Sequence, residues 1–482
     1  MLSYNLAESK APLYKALYGF ILQDIRSGKL KANEKLPSKR SLARNLGIST
    51  ISIENAYDQL ISEGYLYTLP KKGYFVSEIE NLGQIKVKAA PKSPVKINMP
   101  PQKTDSAPAF FDFSSNQIEN VSFPFSIWAK LLRETISQKE KELLEVSPCG
   151  GVRALREAIA NHLESFRGMD VNPDQIIVGA GTEYLYGLLI KLLGNNKTYC
   201  IENPGYKKLK KIYESNQAPC IPVDMDENGL SVSKLRETKG QVAHISPTHH
   251  FPTGICMLAS RRYEMLAWAN ENEDNYIIED DYDSEFRLKG KPVPSLFSLD
   301  VFGKTIYMNT FSKSLTSTIR ISYMILPEKL ANLFYKKLAF YSCTVSTFEQ
   351  YTLAAFISRG FFEKHINRMR LHYGRKRTRV IEIIKKVFDE NECKILENDS
   401  GLHFILEFKT EKSDRELKEI LKEQRILISS VTDFEMKAGV TDKHQFILNY
   451  SNIEIDRLKP ALAAIKAVLG KPPAKDKLPA LP

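Results

Sequence analysis

The chain has 482 residues and a formal net charge of +11, with 43% hydrophobic and 26% charged residues. This length predicts two or three domains, and the composition is that of a soluble globular protein with no apolar run long enough for a membrane span. Six scattered cysteines without a Cys-x-x-Cys pair argue against zinc and against a disulfide framework. Because the first residues also lack a signal-peptide pattern, we expect a reducing, cytoplasmic location and no membrane partner.

The N-terminal segment has the pattern of three helices. Residues 11–28 repeat apolar side chains with a helical period, and Gly28 suits the end of that helix. Ser38 can cap a second helix over residues 39–46, and Ser49 can cap a third that runs to about residue 63. The short turn between the second and third helices is typical of a helix-turn-helix, in which the third helix enters the major groove of DNA.

A β-hairpin follows the three helices. Residues 64–67 and 74–76 are apolar and aromatic, and the turn Pro70-Lys71-Lys72-Gly73 separates them. Three helices and a hairpin within residues 1–79 predict a winged helix-turn-helix domain of the α+β class.

Several stretches of this segment carry a more specific pattern. They are Lys35-Leu36-Pro37-Ser38-Lys39-Arg40-Ser41-Leu42-Ala43, Leu46-Gly47-Ile48-Ser49, Glu63-Gly64-Tyr65 and Lys72-Gly73-Tyr74-Phe75-Val76. Together they resemble the GntR-type winged-helix regulators. This resemblance implies that the DNA-contacting residues are Arg40, Arg44, Ser49, Thr50, Ser52, Lys71 and Lys72.

Two features of that set can be weighed from the sequence alone. Arg40 and Arg44 lie four residues apart, so they share one helical face that suits phosphate contact, although either one alone could be only a solvated charge. Many GntR-type members have arginine where this chain has Thr50, so base readout should differ there.

Residues 80–110 have a different composition, with five lysines, five prolines and one acidic residue between Gln84 and Ala109. Such a segment cannot bury a core, and it predicts a flexible, positively charged linker. Residues 111–470 then alternate strand-like and helix-like stretches, which predicts an α/β domain. The last residues, 471–482, are rich in proline and lysine and predict a disordered tail.

Three strand ends in the α/β region carry polar residues that suit a phosphorylated, flat cofactor. Gly181 and Thr182 follow one strand at the start of a helix, where backbone N–H groups can bind phosphate. Tyr206 follows a second strand and could stack on a ring, or could simply be a packed loop residue. Asp280 and its acidic neighbours end a third strand, where a carboxylate could pair with a pyridine nitrogen. These acids could instead cap the strand or bind magnesium, but no second carboxylate cluster supports a metal site.

The stretch around Lys313 completes this pattern. An apolar strand, residues 305–308, leads into a loop where Lys313 follows the hydroxyl residues Thr310 and Ser312. A lysine amine forms a Schiff base with a carbonyl cofactor once its pKa is lowered. Hydroxyl groups and the planar guanidinium of Arg320 can bind phosphate oxygens.

The order of these motifs, with Ile277-Ile278-Glu279-Asp280-Asp281-Tyr282 and Thr310-Phe311-Ser312-Lys313-Ser314-Leu315 as its closest stretches, resembles class I/II aminotransferases. With the winged helix attached, the chain resembles the MocR/GabR-type transcriptional regulators. The resemblance implies a fold-type I domain that binds pyridoxal 5'-phosphate. It assigns the Schiff base to Lys313 and implies a cofactor set of Gly181, Thr182, Tyr206, His249, Asp280, Tyr282, Thr310, Ser312, Lys313 and Arg320. His249 and His250 both lie in the cofactor-side loop, and the sequence does not decide which of them faces the ring.

This sequence departs from that pattern at the expected effector-binding positions. Lys208 and Asn452 stand where relatives that respond to an amino acid carry arginines. Lysine is a point charge and asparagine is neutral, so an effector carboxylate held as in aminotransferases is not expected. Ser317 also replaces a usual proline between Lys313 and Arg320, which could loosen that loop.

The sequence therefore predicts a transcription regulator that binds promoter DNA and senses an amine, an amino-acid-like molecule or pyridoxal phosphate itself. Two alternatives remain: an active aminotransferase with an accessory DNA-binding domain, and a scaffold that has lost its cofactor. The altered effector positions disfavour the first alternative, and the intact Lys313 and Asp280 disfavour the second. The resemblance also implies a homodimer, with DNA-binding heads that can be exchanged between subunits.

Overall fold

The computed structural model describes residues 12–78, 109–114, 123–288, 293–396, 401–437 and 441–470, together with Tyr4, Leu6 and Gly439. The chain divides into two compact units, Met1–Asp105 and Ser106–Pro482. The predicted tail lies outside the described residues, and so does the predicted linker except for Ala109 and Phe110.

Unit 1 contains three helices and a small antiparallel sheet in the strand order β1-β3-β2. Its elements are α1 (Leu13–Arg26), β1 (Lys35–Leu36), α2 (Lys39–Leu46), α3 (Thr50–Ser62), β2 (Leu66–Leu69) and β3 (Gly73–Val76).

The helix ends of unit 1 follow from local chemistry. The Ser38 side chain accepts a hydrogen bond from the N–H of Ser41, which satisfies one of the free donors at the start of α2. Gly47 ends that helix with φ of 66°, a left-handed conformation that glycine adopts without the steric cost of a side chain. Ser49 caps α3 through the N–H of Ser52. Three helices and a hairpin form a winged helix-turn-helix.

The core of unit 1 is formed by one face of α3 against α1. Ile53, Ala56, Tyr57 and Leu60 are fully buried, at the helical spacing that the sequence pattern predicts. The Tyr57 hydroxyl donates to the carbonyl of Pro37, so this buried polar group is satisfied and also fixes the approach to α2.

Unit 2 is built from alternating helices and strands. Its helices are α4 (Phe125–Gln138), α5 (Glu140–Leu143), α6 (Arg153–Arg167), α7 (Thr182–Leu193), α8 (Lys207–Ser215), α9 (Val232–Glu237), α10 (Ala259–Asn270), α11 (Leu296–Leu299), α12 (Phe311–Ser314), α13 (Glu328–Leu338), α14 (Thr347–Ser358), α15 (Phe361–Val387), α16 (Asp414–Glu423) and α17 (Ile455–Leu469). Its strands are β4 (Phe111–Asp112), β5 (Ile176–Gly179), β6 (Tyr199–Asn203), β7 (Cys220–Asp226), β8 (Gly229–Leu230), β9 (Val242–Ile245), β10 (Tyr276–Asp280), β11 (Thr305–Thr310), β12 (Ser322–Ile325), β13 (Cys393–Leu396), β14 (His403–Phe408), β15 (Ile426–Leu427), β16 (Ser429–Ser430) and β17 (Gln445–Asn449).

The main sheet of unit 2 has eight strands in the order β5-β12-β11-β10-β9-β6-β7-β8. Strands β11, β10, β9, β6 and β7 run parallel, while β12 runs antiparallel to both of its neighbours and β8 runs antiparallel to β7. Apolar clusters cover both faces, as a largely parallel sheet requires. Consequently the carboxyl ends of β6, β9, β10 and β11 meet at one edge, which is where open α/β sheets bind ligands.

A second sheet, in the order β13-β14-β17-β16, is antiparallel, and a short parallel pair joins β15 to β4. The long helix α15 and helix α17 pack beside this sheet, and their buried side chains include Met369, Tyr373, Leu458 and Leu462. Among the described residues, no helix has the length and apolar character needed to cross a bilayer.

Candidate cofactor site and DNA-binding surface

A cavity of about 290 Å³ opens at the carboxyl ends of the parallel strands of unit 2. Each of four neighbouring strands contributes a wall residue: Glu202 from β6, His244 from β9, Asp280 from β10 and Thr310 from β11. The other lining residues are Thr182, Glu183, Tyr186, Ile201, Gly205, Tyr206, Leu209, Ser246, His250, Phe251, Tyr282, Ser312, Lys313 and Arg320. The cavity therefore brings together most of the residues that the sequence assigns to a cofactor.

Lys313 lies on α12, a single helical turn that begins directly after β11, rather than in the loop that the sequence pattern predicts. Thr310 caps this turn by accepting a hydrogen bond from the N–H of Ser312 at 3.2 Å. Burial lowers the pKa of the Lys313 amine to about 8, and the carboxylate of Asp283 opposes this change. A larger share of the amine is therefore neutral and nucleophilic near pH 7 than in an exposed lysine.

Asp280 is the last residue of β10, and its two carboxylate oxygens differ in their hydrogen-bond partners. Its Oδ2 accepts a hydrogen bond from the Tyr186 hydroxyl and lies 3.5 Å from Nε2 of His244. Its Oδ1 is buried and has no hydrogen-bond partner within the described part of the chain. Because buried polar atoms normally have a partner, this oxygen indicates a donor supplied by a bound molecule, and a protonated ring nitrogen fits that requirement.

The opposite end of the cavity suits a phosphate group. Gly181 has φ of 91°, and a Cβ placed there would lie 2.5 Å from Nη2 of Arg320, so only glycine allows this close approach. Thr182 follows at the first turn of α7, where backbone N–H groups have no acceptor within the helix. The Arg320 side chain is 52% exposed and lies 4.0 Å from Oε1 of Glu183, which leaves its guanidinium able to bind an anion.

The hydroxyl groups predicted to donate to phosphate already have acceptors. Ser312 Oγ donates to the carbonyl of Ile319 at 3.1 Å. Thr310 Oγ1 donates to the carbonyl of Ile321 at 3.5 Å and accepts from Ser322 Oγ at 2.8 Å. Both residues hold the α12 turn in place next to the cavity. Phosphate binding through Arg320 and the start of α7 is thus better supported by this geometry than donation from Ser312.

Two tyrosines face the cavity from the loops that follow β6 and β10. Tyr206 is the residue before α8, and about half of its side chain is exposed, so one ring face remains available for stacking. The Tyr282 hydroxyl donates to the carbonyl of His249 at 2.9 Å, and burial raises its pKa well above the usual value. Its oxygen can therefore accept a hydrogen bond but does not ionise near neutral pH.

The two adjacent histidines of the cofactor-side loop point in different directions. His250 lines the cavity, with Nε2 at 3.5 Å from Oε2 of Glu202, and burial lowers its pKa to about 3. His249, the histidine in the predicted cofactor set, does not line this cavity, because its Nδ1 is 2.8 Å from Oδ2 of Asp283. Of this pair, His250 is therefore the histidine that faces the cavity.

Neither predicted effector residue lines the cavity. Lys208 lies on α8 with its side chain half exposed, and it forms an ion pair with Glu183 at the cavity rim. Asn452 is exposed and lies between β17 and α17. The structure therefore brings Lys208 close to the site but does not bring Asn452 to it.

The predicted DNA-contacting side chains of unit 1 lie at the surface. Arg40, Arg44, Ser49, Thr50, Lys71 and Lys72 are exposed and Ser52 is half-buried. Ser49 and Ser52 are already hydrogen-bonded to each other in the α3 cap, at 2.9 Å between hydroxyl oxygens.

The basic residues of unit 1 differ in their ion pairs. Lys39 is held by ion pairs with Glu54 at 2.7 Å and Asp58 at 3.3 Å. In unit 1 as described, the two arginines and the two wing lysines have no such carboxylate partner, which suits phosphate contact.

Comparison with known proteins decides the family. The bacterial regulatory proteins of the GntR family match residues 13–76, and the aminotransferases of class I and II match residues 109–465. The chain is 37% identical over 421 residues to YdeL, an HTH-type transcriptional regulator of Bacillus subtilis, covering 87% of this chain and 89% of that protein. It is 30% identical to the probable rhizopine catabolism regulatory protein MocR of Rhizobium meliloti, with 83% of each chain covered. The chain belongs to the MocR-type transcriptional regulators.

The fold of unit 2 is that of the aminotransferases. A multiple substrate aminotransferase from Thermococcus profundus superposes with a TM-score of 0.67 at 20% identity, over 77% of this regulator and 95% of that chain. The predicted winged helix-turn-helix and fold-type I domain are thus confirmed, and the cofactor of this regulator is pyridoxal 5'-phosphate.

The cavity itself fits this cofactor on three observations: the partnerless Oδ1 of Asp280, the glycine that admits Arg320, and the lowered pKa of Lys313. Lys313 would hold the aldehyde carbon, Asp280 the ring nitrogen, and Arg320 the phosphate. When bound, pyridoxal phosphate supplies an electron-withdrawing ring joined to a carbon that accepts primary amines.

Sequence analysis missed several residues that line or support the site. Tyr186 lies four residues after Thr182 on α7 and so shares its face, a signal that helical spacing could have given. His244 is the polar residue within the apolar strand β9, and its Nδ1 is 2.7 Å from the Tyr213 hydroxyl. A histidine in an otherwise apolar buried strand was the available signal. Glu202, an acidic residue near the end of β6, received no role in the sequence analysis.

Proposed function

We propose that this regulator senses a primary amine that carries no carboxylate, and that binding of this amine at the cofactor changes its affinity for promoter DNA. The observation that supports the proposal most strongly is the set of charges around the cavity. A ligand shifts the equilibrium between two conformations of a regulator only if its interactions with the two conformations differ. We propose that a covalent exchange at Lys313 provides this difference.

The cations in the cavity wall are already committed. Among the described residues that line the cavity, the lysine is Lys313 and the arginine is Arg320. Pyridoxal phosphate needs both of them, one for its aldehyde and the other for its phosphate. Lys208 at the rim is paired with Glu183, which raises the pKa of its amine and holds it as a cation away from a ligand. No basic side chain of this wall is left to bind an effector carboxylate in the bidentate manner of an arginine.

The remaining ionisable groups in the wall favour a ligand without negative charge. Glu202 is fully buried, burial raises its pKa to about 8, and its Oε2 accepts a hydrogen bond from the N–H of Ser246 at 2.9 Å. Glu183 is half exposed at the mouth of the cavity. A carboxylate entering the cavity would meet the acidic Glu183 at the mouth, and Glu202, which its raised pKa leaves largely protonated near pH 7, offers it no positive charge. An amine needs no cation in the wall.

The same charges support regulation rather than complete transamination. An aminotransferase positions its amino-acid substrate by the carboxylate, and this cavity offers no free cation for that purpose among its described wall residues. We therefore propose that amine exchange at Lys313 occurs without sustained turnover. Accumulation of a keto product from any amino acid, measured over many protein equivalents, would contradict this.

We also propose that the regulator works as a homodimer. Unit 2 exposes several large apolar side chains, including Phe125 at 70%, Leu144 at 89%, Val146 at 78% and Phe340 at 77%. Burying side chains of this kind between two subunits would remove their apolar surface from water. Sedimentation equilibrium at micromolar concentration should give twice the chain mass, and a monomer under these conditions would refute the proposal.

Matched ligand pairs test the effector class. Pentylamine and 5-aminopentanoate both carry a primary amine and differ at the far end of the molecule, where only the second has a carboxylate. We expect pentylamine to change the visible absorbance of the loaded protein at a lower concentration than 5-aminopentanoate. The Lys313→Ala variant serves as the control without the covalent anchor. A preference for the amino acid would sink the proposal, and no response to either ligand would leave pyridoxal phosphate as the candidate effector.

A further inference from the structure

The long helix α15 of unit 2 is strongly basic. Along Phe361–Val387 its basic residues are Lys364, Arg368, Arg370, Arg375, Lys376, Arg377, Arg379, Lys385 and Lys386, whereas its acidic residues are Glu363 and Glu382. No role in the cofactor site accounts for this charge, because none of these residues lines the cavity around Lys313.

Most of the exposed basic residues of α15 form a single stripe, and the exposed Lys385 lies outside it. At the helical rotation of about 100° per residue, a sector of about 80° contains one exposed acidic residue, Glu382, and six basic side chains that extend over about 33 Å of helix. These are Lys364, Arg368, His372, Arg375, Arg379 and Lys386, and all of them are exposed. The opposite face buries Met369, Tyr373, Val380 and Ile384 in the core. The stripe is therefore held rigidly by packing on the other side of the helix.

A groove of about 1010 Å³ lies along this stripe. One wall is formed by Arg368, His372, Arg375 and Arg379, and the other by the start of α17, which includes Glu454 and Asp456. Glu454 is engaged by Arg457 at 3.3 Å. Basic side chains outnumber acidic ones in this groove, and they are concentrated on the α15 wall.

The arginines of the stripe are not neutralised by the rest of the described chain. Arg375 and Arg379 form no ion pair with any described residue, and Arg368 contacts only the Nδ1 of His365, at 3.4 Å. Unpaired guanidinium groups in a row can each bind phosphate through two N–H donors. Their self-repulsion is relieved when an extended polyanion covers them.

We propose that this stripe binds the phosphate backbone of DNA independently of sequence, as a second DNA contact in addition to the winged helix. A stripe of about 33 Å is far longer than a small anion. Double-stranded DNA carries one phosphate charge per about 1.7 Å of axis, so about twenty charges lie along that distance. The acidic residues on the α17 wall keep the duplex on the α15 side of the groove.

The experiment uses the full-length, cofactor-loaded protein in which Arg40→Ala and Arg44→Ala weaken the winged-helix contact. Binding of a 40-base-pair random-sequence duplex is measured by fluorescence anisotropy over a series of salt concentrations. Into this background are introduced either Arg368→Gln, Arg375→Gln and Arg379→Gln, or the matched set Lys329→Gln, Lys336→Gln and Lys337→Gln on α13. The two sets remove the same charge from exposed helix positions.

Each phosphate contact contributes about 0.9 to the slope of the logarithm of affinity against the logarithm of salt concentration. We expect the α15 set to reduce this slope by about 2.7 and the α13 set to leave it unchanged. Equal slopes for the two sets, or a slope insensitive to both, would overturn the proposal and leave the stripe as a solvated helix face. If the triple α15 variant does not fold, Arg375→Gln alone should lower the slope by about 0.9.

Discussion

The amine of Lys313 should react with pyridoxal phosphate much faster than an exposed lysine does near neutral pH. Burial lowers its pKa from 10.5 to about 8, while Asp283 raises it against this effect. At pH 7 the neutral fraction of an amine with this pKa is about 9%, about 300-fold more than for an amine of ordinary pKa. Because only the neutral form attacks the aldehyde, the loading rate should follow this fraction.

The assay is stopped-flow mixing of the cofactor-free protein with pyridoxal phosphate, with visible absorbance as the readout from pH 6 to pH 10. We expect the rate to rise about tenfold per pH unit at low pH and to level off near pH 8. N-acetyl-lysine amide in the same buffers controls for titration of pyridoxal phosphate itself, and Lys313→Ala should show no protein-dependent phase.

A substitution tests the opposing charge. Asp283→Asn removes the carboxylate that raises the pKa of Lys313, so the pH at which the loading rate levels off should move downward. A rate that keeps rising beyond pH 9.5 in the parent would refute the burial argument. A plateau that moves upward in Asp283→Asn would refute the assignment of Asp283.

Three further predictions follow from the two sites. Asp280→Asn should weaken retention of pyridoxal phosphate on dialysis by at least tenfold, because a neutral amide no longer stabilises a protonated ring nitrogen; equal retention would contradict that role. Gly181→Ala should raise the dissociation constant of the phosphate-bearing cofactor more than that of pyridoxal, since its Cβ would displace Arg320; equal effects on both would contradict phosphate binding there. Arg40→Ala with Arg44→Ala should lower the salt slope of operator binding by about 2, measured by anisotropy, and an unchanged slope would remove both residues from the interface.

The parts of the structure that local chemistry determines could be predicted from the sequence. Helix α2 begins after Ser38 and ends at Gly47, as predicted, because a side-chain cap and a left-handed glycine both act within one helical turn. The spacing of Ile53, Ala56, Tyr57 and Leu60 gave the buried face of α3 for the same reason. Lys313 was placed after the correct strand, but the one-turn helix that carries it was missed, since so short an element leaves no periodic pattern.

Contacts between distant segments could not be derived in this way. Tyr186 and His244 meet at Asp280 only because β9 and β10 are adjacent strands and helix α7 packs against the same sheet. The difference between His249 and His250 depends on the local path of one loop, which no periodic pattern in the sequence encodes. The effector position assigned to Asn452 rested on correspondence along the chain, and the fold places that residue at the surface before α17.

The central claim is that chemistry at Lys313 controls DNA binding. A DNA fragment selected by the protein from a random pool is titrated by anisotropy, in the presence of increasing pentylamine, while the visible absorbance is recorded in the same cuvette. The account predicts that absorbance and DNA affinity change over the same amine concentrations in the parent, and that DNA affinity is unaffected by amine in Lys313→Ala. An equal change of DNA affinity in both proteins would contradict it.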